Sequence, residues 1–116
     1  MRIGEALEQA NADRGVRAVV LTGAGARAFS AGADLKALSR GESVTAPGHE
    51  EWGFGGYVRH PIDKPTIAAV EGYALAGGTE LVLASDLAVA GVSASFGLPE
   101  VARGLFAAAG GVFRFA

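Results

Sequence analysis

Two glutamates set among apolar residues, Glu80 and Glu100, and two glycine-bearing turns, "SAGADL" at 30–35 and "LAGGTE" at 75–80, are where this sequence could do chemistry. An ionised carboxylate buried beside Leu81, Val82 and Leu83 is costly unless it is paired, hydrogen-bonded or held protonated. Glu80 therefore either lies on an exposed face or has a job. Each glycine turn leads into a helical segment, and a helix start offers free N–H groups and the positive end of the macrodipole. Two such turns facing one carbonyl oxygen would form an oxyanion hole, in which each donor is worth roughly 3 kcal/mol or more to charge developing in the transition state. For a thioester that charge is an enolate's. Glu80 follows Gly77 by three residues, on the first turn of the helix aimed at that oxygen, and Glu100 follows Pro99 in "FGLPEVARG". Two carboxylates beside an oxyanion hole can hold one water and divide acid and base duties. A plainer reading stands beside this one: Glu80 as a favourable charge at a helix N-terminus, Glu100 as a solvated turn residue.

Other chemistries find less support. "GAGARA" at 23–28 follows a strand-like run and fits the dinucleotide pattern G-x-G-x-x-A, with Glu42 19 residues beyond Gly23. No sustained helix opens after these glycines, however, and a tight strand-to-loop turn accounts for them. No phosphate-loop lysine follows a glycine cluster, and no G-x-S-x-G elbow occurs. With no cysteine, and with His49 and His60 lacking ligand spacing, no metal site is expected. The formal charge is −2 and the ten basic residues are scattered, so no nucleic-acid partner is expected. The start "MRIGEALEQANAD" lacks a signal-type apolar run, and Glu71, Glu80 and Asp86 interrupt the most hydrophobic stretch. These features predict a cytoplasmic protein with no membrane span.

The elements that must position the glutamates follow from periodicity. Half of the 116 residues are hydrophobic, enough for one small domain over 1–116. Ile3, Ala6, Leu7 and Ala10 predict an amphipathic helix over 2–12, ending near Gly15. "RAVVLTG" at 17–23 reads as a buried strand, followed by a loop to about Ala33. "ADLKALS" suits a short helix, 40–48 a polar loop, and "HEEWGFGGYVRH" at 49–60 a further helical piece anchored by Trp52 and Tyr57. Pro65 precedes a strand at 66–71. "GTELVLASD" suits a buried helix, "DLAVAG" a third strand, "ASFG" a short extended piece and "PEVARG" a turn. The alternation predicts an α/β fold with largely parallel pairing.

At these residues the sequence resembles the crotonase (enoyl-CoA hydratase/isomerase) superfamily over nearly its whole length. The resemblance rests on three ordered segments: "AFSAGADLKAL", "KPTIAAVEGYALAGGTELVLASDLAVA" and "ASFGLPEVARGLFAAAGG". It implies the ββα spiral core of the ClpP/crotonase fold, in incomplete form, and an enoyl-CoA hydratase. Ala33 and Gly77 match the two backbone oxyanion donors, and Glu80 and Glu100 match the two carboxylates of the hydratase branch. Ala31, Asp34, Leu35 and Lys36 fall in the segment that contacts CoA, with Lys36 a phosphate partner. Trp52 and Tyr57 fall where relatives line the acyl pocket, although each also suits a core. CoA is part of the substrate, so no separate cofactor is implied. The expected partner is an acyl-CoA thioester, and the expected assembly a homo-oligomer, trimer or hexamer, once the family's remaining segments are supplied.

The sequence also departs from the family pattern. Ala76 replaces the first glycine of a triplet, and Ala108 replaces a glycine whose backbone helps to hold the catalytic water. The family's first strands would lie before Met1 and its last helices after Ala116, so the chain resembles the middle of a crotonase. Three readings follow from the resemblance: an enoyl-CoA hydratase, another acyl-CoA lyase or isomerase of the same fold such as a carnitinyl-CoA dehydratase, or a catalytically silent remnant.

Overall fold

In the computed structural model, which describes residues 2–115, the chain winds back and forth between two parallel sheets. Strands β1 (Val19–Thr22), β5 (Thr66–Val70) and β7 (Leu87–Ala90) form the first sheet, with β5 in the centre. Strands β2 (Ala28–Ser30), β6 (Tyr73–Leu75) and β8 (Ser95–Gly97) form the second, with β6 in the centre. Each visit to the first sheet is followed at once by a visit to the second. The antiparallel pair β3 (Thr45–Ala46) and β4 (His49–Phe54) stands apart. Helix α1 (Ile3–Ala12) precedes β1, α2 (Leu35–Ser39) follows β2, and α3 (Gly77–Ala84) follows β6. A 3-10 turn (Pro99–Arg103) and the short α4 (Gly111–Arg114) follow β8. This is the α/β fold the pattern predicts.

Two apolar clusters hold the layers together. Leu7 of α1 meets Tyr57, Val58 and Leu81, while Ala68, Val70, Ala74 and Val82 pack between β5, β6 and α3. Phe29 of β2 packs against both clusters. The C-terminal end of α1 is closed from a distance: Lys64 Nζ donates to the carbonyls of Ala10 and Asp13, and Asn11 Oδ1 accepts from Asp63 N–H. This satisfies carbonyls that a helix end otherwise leaves open.

Several expectations need correction. Helix α1 keeps the expected span and stops at Ala12, where Asp13 turns extended (φ −80°, ψ 111°), short of Gly15. The run at 17–23 is not buried throughout: Val19 and Leu21 face the core, whereas Val20 is 58% exposed, because successive side chains point to opposite faces and only one face of β1 meets the core. The segment 49–60 is not helical. Gly53, Gly55 and Gly56 take φ values of 71°, 63° and 68°, which break a helical repeat and let β4 pair with β3 inside the expected polar loop. Strands β2 and β6, three residues each, fall where a loop and a plain strand-to-helix turn are expected.

The side chains of Asp86 and Thr66 join the starts of β7 and β5. Asp86 Oδ2 accepts from Thr66 N–H at 2.7 Å and from Thr66 Oγ1–H at 2.9 Å. These donors, the backbone one first, hold the Asp86 carboxyl below the usual carboxylate range. A lowered folded-state value stabilises the fold above the unfolded carboxyl's ordinary pKa of about 3.9, and this contribution is lost as pH falls through the folded value. Asp86→Asn is expected to lower the melting temperature at pH 7, with the gap from the native chain narrowing below about pH 4. A gap independent of pH in a thermal melt series would refute this account of Asp86.

Candidate active site

The site is built where two backbone segments touch. Gly32 has φ +88°, and a Cβ added there would lie 2.8 Å from Gly77 N. A Cβ at Gly78 would fall 2.1 Å from Ser30 O, so the turn after β2 and the start of α3 meet backbone to backbone. No side chain could be inserted between them. Among the described residues neither Ala33 N–H nor Gly77 N–H has an intramolecular acceptor, and both residues line the same cavity of about 490 Å³. Free amides of this kind are suited to a developing oxyanion.

Glu80 is 4% exposed on the first turn of α3, and its burial is resolved by backbone donors. Its Oε1 accepts from Ala109 N–H at 2.7 Å and Gly111 N–H at 3.0 Å. Gly111 permits this approach, since a Cβ there would lie 3.0 Å from Glu80 Cγ and from Leu98 Cδ1. Glu100, half-buried in the 3-10 turn opened by Pro99, lines the cavity too. Its Oε2 is buried with no hydrogen-bond partner among the described residues. One carboxylate is thus anchored, and the other has an oxygen free for a ligand or water.

The family profile described as enoyl-CoA hydratase/isomerase matches residues 2–116. This chain belongs to that family. Among solved structures, a carnitinyl-CoA dehydratase from Mycobacterium avium 104 is 70% identical with a TM-score of 0.94, over 97% of this chain and 44% of that one. An enoyl-CoA hydratase from Mycobacterium tuberculosis H37Rv is 51% identical with a TM-score of 0.85, over 96% and 42%. Among curated relatives, the carnitinyl-CoA dehydratase of Salmonella enteritidis PT4 is 44% identical over 97% of this chain and 43% of the relative. The chain therefore spans less than half the length of these enoyl-CoA hydratase/isomerase relatives.

Of the residues singled out from sequence, Ala31, Ala33, Leu35, Gly77, Glu80 and Glu100 come together around the cavity. Ala108 lines it as well, immediately before Ala109, the first of the two residues that donate to the Glu80 carboxylate. Asp34 and Lys36 do not line it. Asp34 is the N-cap of α2, its Oδ1 accepting from Lys36 N–H at 2.8 Å and Ala37 N–H at 3.2 Å, while the Lys36 side chain is exposed. Trp52 and Tyr57 also stay outside. Trp52 packs on Gly4 of α1 and stacks on His49 at 3.8 Å, and Tyr57 Oη is 2.7 Å from Ser85 Oγ. Their neighbours Phe54 and Val58 line the cavity instead. Sequence reasoning missed Arg59 and Arg103, which line the cavity without a salt-bridge partner among the described residues. Only the three-residue spacing from Glu100 to Arg103 hints at their place. No group of three or more His, Asp or Glu suited to a metal ion occurs among the described residues.

Ala76, the N-cap of α3, has φ 53° and ψ −126° and is the one non-glycine residue with positive φ among the described residues. Such a conformation costs a side chain of order 1–3 kcal/mol, against roughly 0.5–1 kcal/mol for glycine's extra freedom when unfolded. Ala76→Gly is expected to stabilise the fold by about 1 kcal/mol, read as a higher urea midpoint with unchanged slope. A midpoint equal to or below that of the native chain would remove the strain assigned to Ala76.

Proposed function

We propose that the protein adds water across the α,β double bond of an enoyl-CoA thioester. The observation that carries this reading is the convergence of Glu80, Glu100 and the free amides of Ala33 and Gly77 on one cavity. The thioester oxygen accepts from both amides, which draw electron density from the double bond and stabilise the enolate-like state. Glu80, fixed through Oε1, uses its second oxygen to orient the water and receive its proton as hydroxide adds to the β-carbon. Glu100 delivers a proton to the α-carbon, so the thioester gains one water overall, and proton transfer between the two carboxyls restores the site. CoA belongs to the substrate, and no separate cofactor enters the reaction. Ala31 and Leu35 contribute cavity wall to CoA binding, Asp34 shapes the segment by capping α2, and the Lys36 ammonium meets a phosphate.

A second reading, dehydration of carnitinyl-CoA, is favoured by the 70% identity to the Mycobacterium avium carnitinyl-CoA dehydratase structure. Both reactions exchange water with the same pair of carbons and use the same two glutamates. A cytoplasmic homo-oligomer, trimer or hexamer, built on a core domain over 1–116, completes the proposal. The exposed Leu87, Val89 and Val92 on and beside β7 support association.

The test is hydration of crotonyl-CoA, followed by loss of the conjugated thioester absorbance, beside dehydration of carnitinyl-CoA. Glu80→Gln and Glu100→Gln are each expected to lower kcat by at least about 100-fold, with thioester binding within about threefold of the native chain. Activity retained in either variant would remove that glutamate from the mechanism. A folded native chain that turns over neither substrate would sink the enzymatic reading in favour of a silent acyl-CoA binder.

A further inference from the structure

We propose that Thr79 is a positioning residue whose buried hydroxyl fixes Glu80 relative to Glu100; this rests on the two-glutamate reading above. Thr79 is 1% exposed in the first turn of α3, next in sequence to Glu80. Its Oγ1 lies 2.5 Å from Ala74 O, 2.8 Å from Gly97 O and 3.1 Å from Gly97 N. A hydroxyl has one proton and two lone pairs, so it donates to one of the two carbonyls while accepting Gly97 N–H. Threonine inside a helix more often returns its hydroxyl to its own helix. Here the hydroxyl leaves α3 and joins β6 to the end of β8.

Gly97 is the point through which this contact reaches Glu100. Its carbonyl also accepts Ala76 N–H at 2.8 Å, so both polar groups of Gly97 are bound to the start of α3. Leu98 and Pro99 then lead to Glu100, and the proline ring keeps that short connection stiff. Among the described residues, Thr79 makes the only side-chain hydrogen bonds between α3 and β8. Ala109 and Gly111 orient Glu80 but make no hydrogen bond to the 3-10 turn that carries Glu100. Beside the backbone bond from Ala76, the Thr79 hydroxyl is therefore the side-chain tie through which the position of Glu80 is held relative to Glu100.

Two measurements test this on the native chain, Thr79→Val and Thr79→Ser, with Glu80→Gln as reference. The first needs no turnover: carboxyl carbon NMR follows the titration midpoints of Glu80 and Glu100. Two charges whose spacing changes alter each other's titration. In Thr79→Val at least one midpoint is expected to move by about half a pH unit or more, and in Thr79→Ser to return to the native value. The second is kinetic: Thr79→Val is expected to lower kcat about 10- to 100-fold with KM within about twofold, and Thr79→Ser to restore it to within about threefold. If the valine variant does not fold, Thr79→Ala replaces it, since its smaller side chain admits water at the hydroxyl position. Native midpoints in the hydroxyl-free variant, or a displacement that serine does not reverse, would overturn the proposal. Full activity in Glu80→Gln would instead refute the two-glutamate reading and leave the midpoints to decide the role of Thr79 alone.

Discussion

The structure depends most on one carboxylate accepting two backbone amides. Glu80 is the charged group set deepest among apolar neighbours, and its Oε1 receives Ala109 N–H and Gly111 N–H from a segment with little regular structure of its own. Hydrogen bonds to a charged acceptor are worth roughly twice those between neutral groups. Removing them would leave a buried charge without partners, which costs several kcal/mol. The interaction therefore serves two ends at once: it makes a glutamate tolerable inside the fold, and it gives residues 107–111 a fixed place against α3. Glu80 Oε2 takes no part in these bonds and remains free for chemistry.

A second constraint acts on the backbone. The turn at 30–33 and the start of α3 approach so closely that Gly32 and Gly78 have no room for side chains. This contact is what allows amides from two separate stretches of chain to border one cavity. It also explains why Gly32 and Gly78 carry no side chain: a Cβ at either position would push the two segments apart. Ala76 keeps a methyl group where the backbone favours glycine, so the chain carries some strain at the start of the same helix.

Much of the candidate site was legible in the sequence because the residues that line its cavity are concentrated in short segments. A glutamate three residues after a glycine pair, inside an apolar run, draws attention by its desolvation cost alone. The partners that offset that cost were not legible: backbone amides look the same at every position, and only the folded chain shows that those of Ala109 and Gly111 point at Glu80. The order of α and β elements was readable from periodicity, but β2 and β6 are too short for alternation to register. The stretch 49–60 misled because its two aromatic anchors, Trp52 and Tyr57, fix no period, whereas glycine conformations decide its path. Arg59 and Arg103 escaped notice because cavity walls are assembled from distant segments, and exposed arginines carry no local signal.

The back-and-forth winding between sheets has an entropic consequence. The β1–β5 pairing spans a separation of 47 residues, seen in the bond from Thr22 to Ala69, whereas the link between Thr66 and Asp86 beside β5 and β7 spans 20. Each doubling of a closed loop adds about 0.6 kcal/mol of entropy cost, so closing the later loop is favoured by a factor of about three to four. The shorter loop thus carries the smaller closure cost, and the helix that carries Glu80 lies inside it.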